Sequence, residues 1–315
     1  MLGELERAKK LIKAGDVVAF PTETVYGLGA DARNRDAISR VFQLKKRPAD
    51  NPLIVHIGEI DQIYDFASEV PEAAIILARH FWPGPLTIIL PKKPEVLDIV
   101  TGGLATVALR MPDHKIALEL IRDTAPLVAP SANKSGRPSP TKPEHVKADF
   151  SNEIEILDGG PCKLGLESTV VRVDHNEVVI LRPGHIDPEK LEEISGLSVR
   201  YNEVSEQLTT QSPGMKYSHY APNAEVSQAT DIPDKLDPNT LYLIIGSMSV
   251  DNELPDNVLP YFDNLNRFAE ELYDRFRQAD LEGFGRIKII GLKDPGDSGI
   301  AKALQNRIEK AAQAR

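Results

Sequence analysis

Val17-Val-Ala-Phe-Pro-Thr-Glu-Thr-Val-Tyr-Gly-Leu-Gly-Ala-Asp-Ala32 opens on a short apolar run and breaks at Pro21 into hydroxyls and glycines. That is the pattern of a buried strand, Val17–Phe20, running into a ligand-facing end. An ordinary turn with incidental threonines is the plain alternative. Gly27 and Gly29 are one residue apart, but no Gly-x-Gly-x-x-Gly opens a helix after them, so the stretch is not a dinucleotide-binding turn. Upstream, Leu5, Ala8, Leu11 and Ile12 recur at helical spacing over residues 3–14, with Gly15 as the C-terminal cap.

A second stretch has a similar make-up. Ser131-Ala-Asn-Lys-Ser-Gly-Arg-Pro-Ser-Pro-Thr141 follows the apolar run Leu127–Ala129, and its eleven residues hold three Ser, one Thr, one Asn and two cations. Hydroxyl and amide groups beside positive charge suit a phosphate or a carboxylate, although the same residues are ordinary turn formers. Between the two stretches, the spacing predicts a helix from an Asp36 cap through Ile38, Val41, Phe42 and Lys45, ending at Lys45-Lys46-Arg47-Pro48. Cations there complement a helix dipole, so a purely structural role is available. Asn51-Pro52 then leads into the strand Leu53–Ile57, which contains His56; a histidine in mid-strand is by itself more often a satisfied core residue than a ligand. Helices are expected over 60–67 and 71–81. Strands are expected over Leu86–Leu90, Thr106–Arg110, Glu155–Leu157, Val170–Val173 and Val178–Leu181, the last ending at Arg182. Five strands finishing in polar or charged residues predict one shared cleft.

Composition narrows the partners. The net charge of −10 argues against a protein that coats nucleic acid through a general basic surface, so an anionic ligand has to be met locally. Cations do concentrate in the loop motifs: Lys45-Lys46-Arg47, Arg110, Lys134, Arg137, Lys142, Lys163 and Arg182. A single cysteine, Cys162, excludes an internal disulfide framework and a cysteine zinc cluster, and the seven histidines show no metal-site spacing, so no structural metal is expected. No apolar run approaches the roughly 20 residues that cross a bilayer, and the N-terminus reads as an amphipathic helix; no membrane partner and a cytoplasmic location are the expectation.

After a short helix from Pro188 to Ile194 the character changes. Residues 201–222 lack apolar periodicity, and beyond them strands at Leu241–Ile245 and Ile287–Ile290 alternate with helices at Leu265–Ala279 and Ile300–Ala312. This pattern predicts a small α/β domain with a parallel sheet. It shows no catalytic constellation of its own.

Taken together, Pro21–Ala32, Lys45-x-Arg47-Pro48, Asn51-Pro52-Leu53 with His56, Pro83-Gly-Pro-Leu-Thr87, Arg110-x-Pro112, Ser131–Thr141 and Glu167-Ser168-Thr169 resemble the YrdC-like family, in the family's order. Ser212-Pro-Gly-Met-Lys-Tyr-x-His219-Tyr-Ala-Pro222 and the α/β tail resemble its longer, two-domain members. The resemblance implies an α/β fold with a twisted, open, mixed sheet over residues 1–200. A linker and active-site lid over 201–222 and a small Rossmann-like parallel α/β domain over 223–315 would follow. It implies an L-threonylcarbamoyladenylate synthase, which joins L-threonine, bicarbonate and ATP and releases pyrophosphate. Its product would pass to downstream tRNA threonylcarbamoyl-transfer proteins, with at most weak contact to the tRNA itself.

By the same likeness, Thr24, His56, Arg110, Ser131 and Ser168 would surround threonine. Lys45, Arg47, Asn51, Thr106, Asn133, Thr141, Arg182 and His219 would hold ATP, with Mg2+ travelling on the triphosphate. Pro213 and Gly214 would hinge the lid, and Tyr217 would reach the nucleotide. No Ser/His/Asp nucleophile signature is present, which suits a carbamate attacking phosphorus without covalent catalysis. Two other readings have discriminators. A non-catalytic RNA-binding module would need a basic surface, and a carbamoyl-phosphate-dependent carbamoyltransferase of the related kind carries zinc-finger cysteines.

Overall fold

The computed structural model describes residues 2–202, 220–246, 254–292, 296 and 298–314. The chain builds two sheets. The first is mixed and ten-stranded, from β1 (Val18–Phe20), β2 (Gly27–Asp31), β3 (Ile54–His56), β4 (Leu86–Pro91), β5 (Thr106–Arg110), β6 (Leu127–Val128), β7 (Glu155–Ile156), β8 (Thr169–Val173), β9 (Glu177–Arg182) and β10 (Ser198–Tyr201). Their order is β10-β9-β8-β4-β5-β3-β6-β2-β1-β7. The second sheet, β11 (Glu225–Ala229), β12 (Thr240–Ile244), β13 (Val258–Pro260) and β14 (Arg286–Ile290), is ordered β11-β14-β12-β13 and parallel throughout. The helices are α1 (Leu2–Lys13), α2 (Arg35–Lys45), α3 (Ile63–Phe66), α4 (Glu72–Phe81), α5 (Asp98–Thr101), α6 (Lys115–Asp123), α7 (Pro143–Phe150), α8 (Pro188–Ser195), α9 (Leu265–Glu282) and α10 (Gly299–Ala312). Among the described residues, no helix is long and apolar enough to cross a membrane.

Alternation of side chains across the first sheet decides where a ligand can sit. Val55, Leu109, Ile88 and Val171 point to one face and join Val41, Leu77 and Leu191 of α2, α4 and α8 in the main core. On the other face, α1 and α6 cover only the Val18, Phe20 and Leu127 end. Next to it runs a strip of strand residues alone, including Ile54, Ala108 and Val170. His56 and Arg110, directly opposite one another across the parallel β3–β5 pair, lie two residues beyond Ile54 and Ala108 and so share that less-covered face.

Two local readings are corrected by the structure. The cap of α2 is Asn34, not Asp36: Asn34 has extended backbone angles, and its Oδ1 accepts the Asp36 and Ala37 amides, both at 3.1 Å. Asp36 already lies in the first turn, where its charge meets the positive end of the helix. Gly27–Asp31 is a strand antiparallel to β1 and not a loop. Its glycines make room for a ring, because a Cβ at Gly29 would press on Phe20. Helices α6 and α7 and strands β10, β11 and β13 have no counterpart in the sequence reading. Strands β10, β11 and β13 are half-exposed edge or near-edge strands, which carry little apolar signal.

The two sheets are held together by more than a tether. The core of the second unit, built on Phe268, Leu272, Tyr273 and Phe276 of α9, takes in Val25 and Leu166 of the first. Gly165, at φ +74, lets α9 come this close: a Cβ there would run into the Ala269 carbonyl and the Glu270 backbone. Gly160 has nearly the same φ, +75, but open space around it. Gly165→Ala is expected to lower the unfolding free energy by at least about 2 kcal/mol. Gly160→Ala should show only the backbone part of that loss, and denaturant unfolding of both variants measures the difference.

Candidate active site

A cleft of about 630 Å³, part of it open to solvent, lies on this less-covered face. It is lined by His56 and Arg110 from strand ends, by Pro130 and Ser131, by Arg47, Pro52 and Ile54, and by Glu167, Arg182 and Tyr220. Three arginines against one glutamate make it locally cationic in a chain whose net charge is −10.

At one end Arg110 is buried and tightly held. Its Nη2 lies 2.7 Å from Glu23 Oε1 and donates to Thr24 Oγ1 at 2.9 Å, while its Nε donates to the Gly84 carbonyl at 3.4 Å. Thr24 and Thr22 exchange a hydroxyl hydrogen bond of 2.9 Å. His56 Nδ1 lies 3.2 Å from the Ile54 carbonyl, an acceptor, so Nδ1 carries the proton and Nε2 is left as an acceptor. Burial, reinforced by the Arg110 charge, pushes the His56 pKa down to about 3, and the ring is neutral at neutral pH. Ser168 is fully buried rather than part of the lining. Its hydroxyl lies 2.7 Å from Thr87 Oγ1 and accepts from Arg182 Nη2 at 3.1 Å.

The other expected ligand groups form the loop side. Ser131 lines the cleft, and its hydroxyl donates to Asn133 Oδ1, whose amide nitrogen donates to the Lys134 and Arg137 carbonyls. Lys45 is buried and points its ammonium at the backbone of this loop, donating to the Ser131 and Asn133 carbonyls. It therefore pins the loop instead of lining the cleft. Arg47 does line it and donates to the Pro52 carbonyl at 3.0 Å, while Asn51 is buried beside it. Thr141 is buried, and its Oγ1 has no hydrogen-bond partner among the described residues. Thr106 stands at the opposite end of β5 from Arg110 and is not among the lining residues. Pro213, Gly214, Tyr217 and His219 lie outside the described residues.

Several cations singled out in the sequence are engaged elsewhere: Lys134 with Glu153, Arg137 with Asp149, and Lys142 with Asp274. Conversely, the sequence reading misses Glu23 and Glu167, although both sit inside quoted motifs. Glu167 accepts from Ser139 Oγ at 2.6 Å, from Tyr273 OH at 3.1 Å and from Arg307 Nε at 3.0 Å. Burial alone would raise its pKa, but the Arg307 and Arg182 charges and the Ser139 hydroxyl hold it below the usual carboxylate value. Tyr273 and Arg307 belong to α9 and α10, so the second domain does contribute to the wall of the site. No sequence signal links residues so far apart in the chain. Burial pushes the Cys162 thiol up to about 12, so it stays protonated at neutral pH.

These features define a two-lobed α/β protein with a locally cationic cleft on the less-covered face of a mixed sheet. The chain belongs to the Sua5/YciO/YrdC family, whose model, described as telomere recombination, matches residues 10–184. A second model, described as the threonylcarbamoyl-AMP synthase C-terminal domain, matches residues 186–313. The threonylcarbamoyl-AMP synthase of Pyrococcus abyssi is 44% identical over 97% of this chain and 93% of its own length. That of Bacillus subtilis is 42% identical over 99% and 94%. The crystal structure of P. abyssi Sua5 complexed with L-threonine superposes with a TM-score of 0.86 at 42% identity, covering 99% of this chain and 94% of that one.

A neutral His56 has a stability signature. The unfolded chain takes up a proton near pH 6.5 and the native site does not until about pH 3, so native stability falls as pH drops through that interval. Between pH 7.5 and 5 the wild type should lose about 2 kcal/mol more than His56→Asn, as read by denaturant unfolding at both pH values.

Proposed function

We propose that this site makes threonylcarbamoyl-AMP. The chain is an L-threonylcarbamoyladenylate synthase, an enzyme of the nucleotidyltransferase type that condenses L-threonine, bicarbonate and ATP and releases pyrophosphate for tRNA modification. The observation that carries the reading is the pairing of a buried carboxylate-binding arginine, Arg110, with a neutral acceptor histidine, His56, in a cleft that also presents Arg47 and Arg182.

Arg110 takes the carboxylate of threonine, and His56 Nε2 accepts a hydrogen bond from its hydroxyl; Thr24 and Ser131 complete the pocket, with Ser168 behind it. The threonine amine, having lost a proton, combines with bicarbonate to give a carbamate and water. A carbamate oxygen then attacks the α-phosphorus of ATP, one P–O bond forms, and the bond to pyrophosphate breaks. Arg47 and Arg182 neutralise the charge that develops there, and Lys45 keeps the Ser131–Asn133 backbone pre-set for it. Asn51, Thr106, Asn133 and Thr141 stand as nucleotide contacts in this reading, and the unpartnered Thr141 hydroxyl supports its place among them. Glu23 and Glu167 are both committed to arginines, and among the described residues no group of three acids, histidines or cysteines stands ready for an ion. In this reading Mg2+ travels on the ATP substrate, with no protein ligand assigned to it.

The division into 1–200, 201–222 and 223–315 is part of the proposal, supported by the change of sheet between Tyr201 and Glu225. The cytoplasm, where threonylcarbamoyl-transfer proteins would take up the product, is the location this activity requires.

Pyrophosphate release should require both L-threonine and bicarbonate. Valine should be discriminated against by up to about 10⁴, because it would leave buried groups unpaired; equal turnover with valine removes the hydroxyl-reading pocket from consideration. Truncating Arg110 would strand Glu23, so the sharper variant is Arg110→Lys, which keeps a cation but loses the fork. It should raise the threonine Kd about tenfold and leave ATP binding alone, whereas Arg47→Ala should do the reverse; calorimetric titration with each ligand separates them.

A further inference from the structure

The end of the Ser131–Thr141 loop is short of internal bonds. Pro138 and Pro140 have no N–H to donate, and Gly136 sits at φ +92. Two of its carbonyls are held within the first domain, Pro140 by the Tyr26 amide and Thr141 by the Cys162 amide, both at 2.8 Å. The rest of this end is reached from the second domain. Arg277 of α9 donates to the Pro138 carbonyl at 2.5 Å and grips Asp149 with both Nη atoms, at 3.2 and 2.8 Å. Asp274, one turn earlier, lies 3.0 Å from His145 Nε2 and accepts from Lys142 Nζ at 2.7 Å. His145 Nδ1 in turn accepts the Thr141 amide at 3.1 Å, which leaves its Nε2 as the donor to Asp274. Tyr273 donates to Glu167, which accepts the Ser139 hydroxyl. Three neighbouring side chains of one helix thus reach Pro138 directly, and Ser139 and Thr141 through one intermediate each.

Docking alone would not ask for this. The apolar side of α9 already packs on its own sheet and on Val25 and Leu166, while Tyr273 and Arg277 take desolvated polar groups to the loop. A buried polar network fixes one geometry at the cost of any member left unpaired, and here Arg277 Nε is buried without a partner among the described residues. Burial would raise the Asp274 pKa, but His145 and Lys142 hold it down at about 2, so the carboxylate stays charged at any working pH.

We infer that α9 is part of the nucleotide site, with Tyr273, Asp274 and Arg277 as positioning residues that set the Pro138–Thr141 backbone for ATP. The inference rests on the assignment of that loop to ATP made above. The second domain then acts on the ATP side of the cleft and not on the Arg110 end proposed for threonine: among the described residues no hydrogen bond joins α9 to Thr24, His56 or Arg110.

The test is steady-state pyrophosphate release by the full-length enzyme, with ATP and threonine varied in turn, for Tyr273→Phe, Asp274→Asn and Arg277→Lys. Each variant should raise the KM for ATP about five- to tenfold and leave the calorimetric threonine Kd within about twofold, a split that a general loss of packing would not produce. Arg277→Met should be worse than Arg277→Lys. Tyr273→Phe removes only a hydroxyl, so it keeps the test alive if the buried-charge variants fold poorly. An unchanged ATP KM in Tyr273→Phe and Arg277→Lys, or parallel losses for both substrates, overturns the inference. Arg47→Ala is run alongside: if it raises the ATP KM while the α9 variants do not, only the α9 role fails. If Arg47→Ala is also without effect, the assignment of the nucleotide site falls, and the inference with it.

Discussion

A guanidinium buried in a protein needs a partner, and here the partners determine the architecture. Arg110 faces Glu23, Arg277 faces Asp149 and Arg307 faces Glu167, each pair at least nine-tenths buried. Removing one member of such a pair typically costs about 3–5 kcal/mol, because the other charge stays behind without solvent. The first pair fixes Arg110 at one end of the cleft. The other two cross between the domains, so the same physics that orients a cleft-lining arginine also joins the two lobes.

That arrangement reconciles an acidic chain with anionic substrates. Alongside the cations scattered over the surface, Arg47, Arg110 and Arg182 converge on one concave cleft, where each is worth more than it would be in water. The surrounding hydrogen bonds are made before any ligand arrives. Lys45 spends donors on the Ser131 and Asn133 carbonyls, and Ser168 is shared between Thr87 and Arg182. Groups fixed in this way would need little reorganisation when charge develops at phosphorus in the proposed reaction.

Most of the cleft was legible before any coordinates. His56, Arg110, Ser131, Arg47 and Arg182 all line it, and each stands at a strand end or loop where an apolar period breaks into polar residues. Lys45, Ser168 and Asn133 were legible as site residues, but their hydrogen-bond partners were not: all three are buried and bonded to neighbouring groups of the cleft wall. Exposure and hydrogen-bond partner depend on which side of the wall a residue falls, and spacing along a strand does not say.

Local pattern by itself determined two things about this protein: the alternation of strands and helices that makes each lobe α/β, and the clustering of hydroxyls, amides and cations that marks out one region as the cleft. Both depend on residues close together in the chain, where steric preference and side-chain period act directly. Only the tertiary structure decided that β3 and β5 lie side by side, so that His56 and Arg110 share a face. It alone decided that Glu167 meets Arg307 across 140 positions of sequence. Such contacts are chosen by the burial of the whole chain and by the need of each desolvated charge for a counter-charge, and no local stretch carries that information.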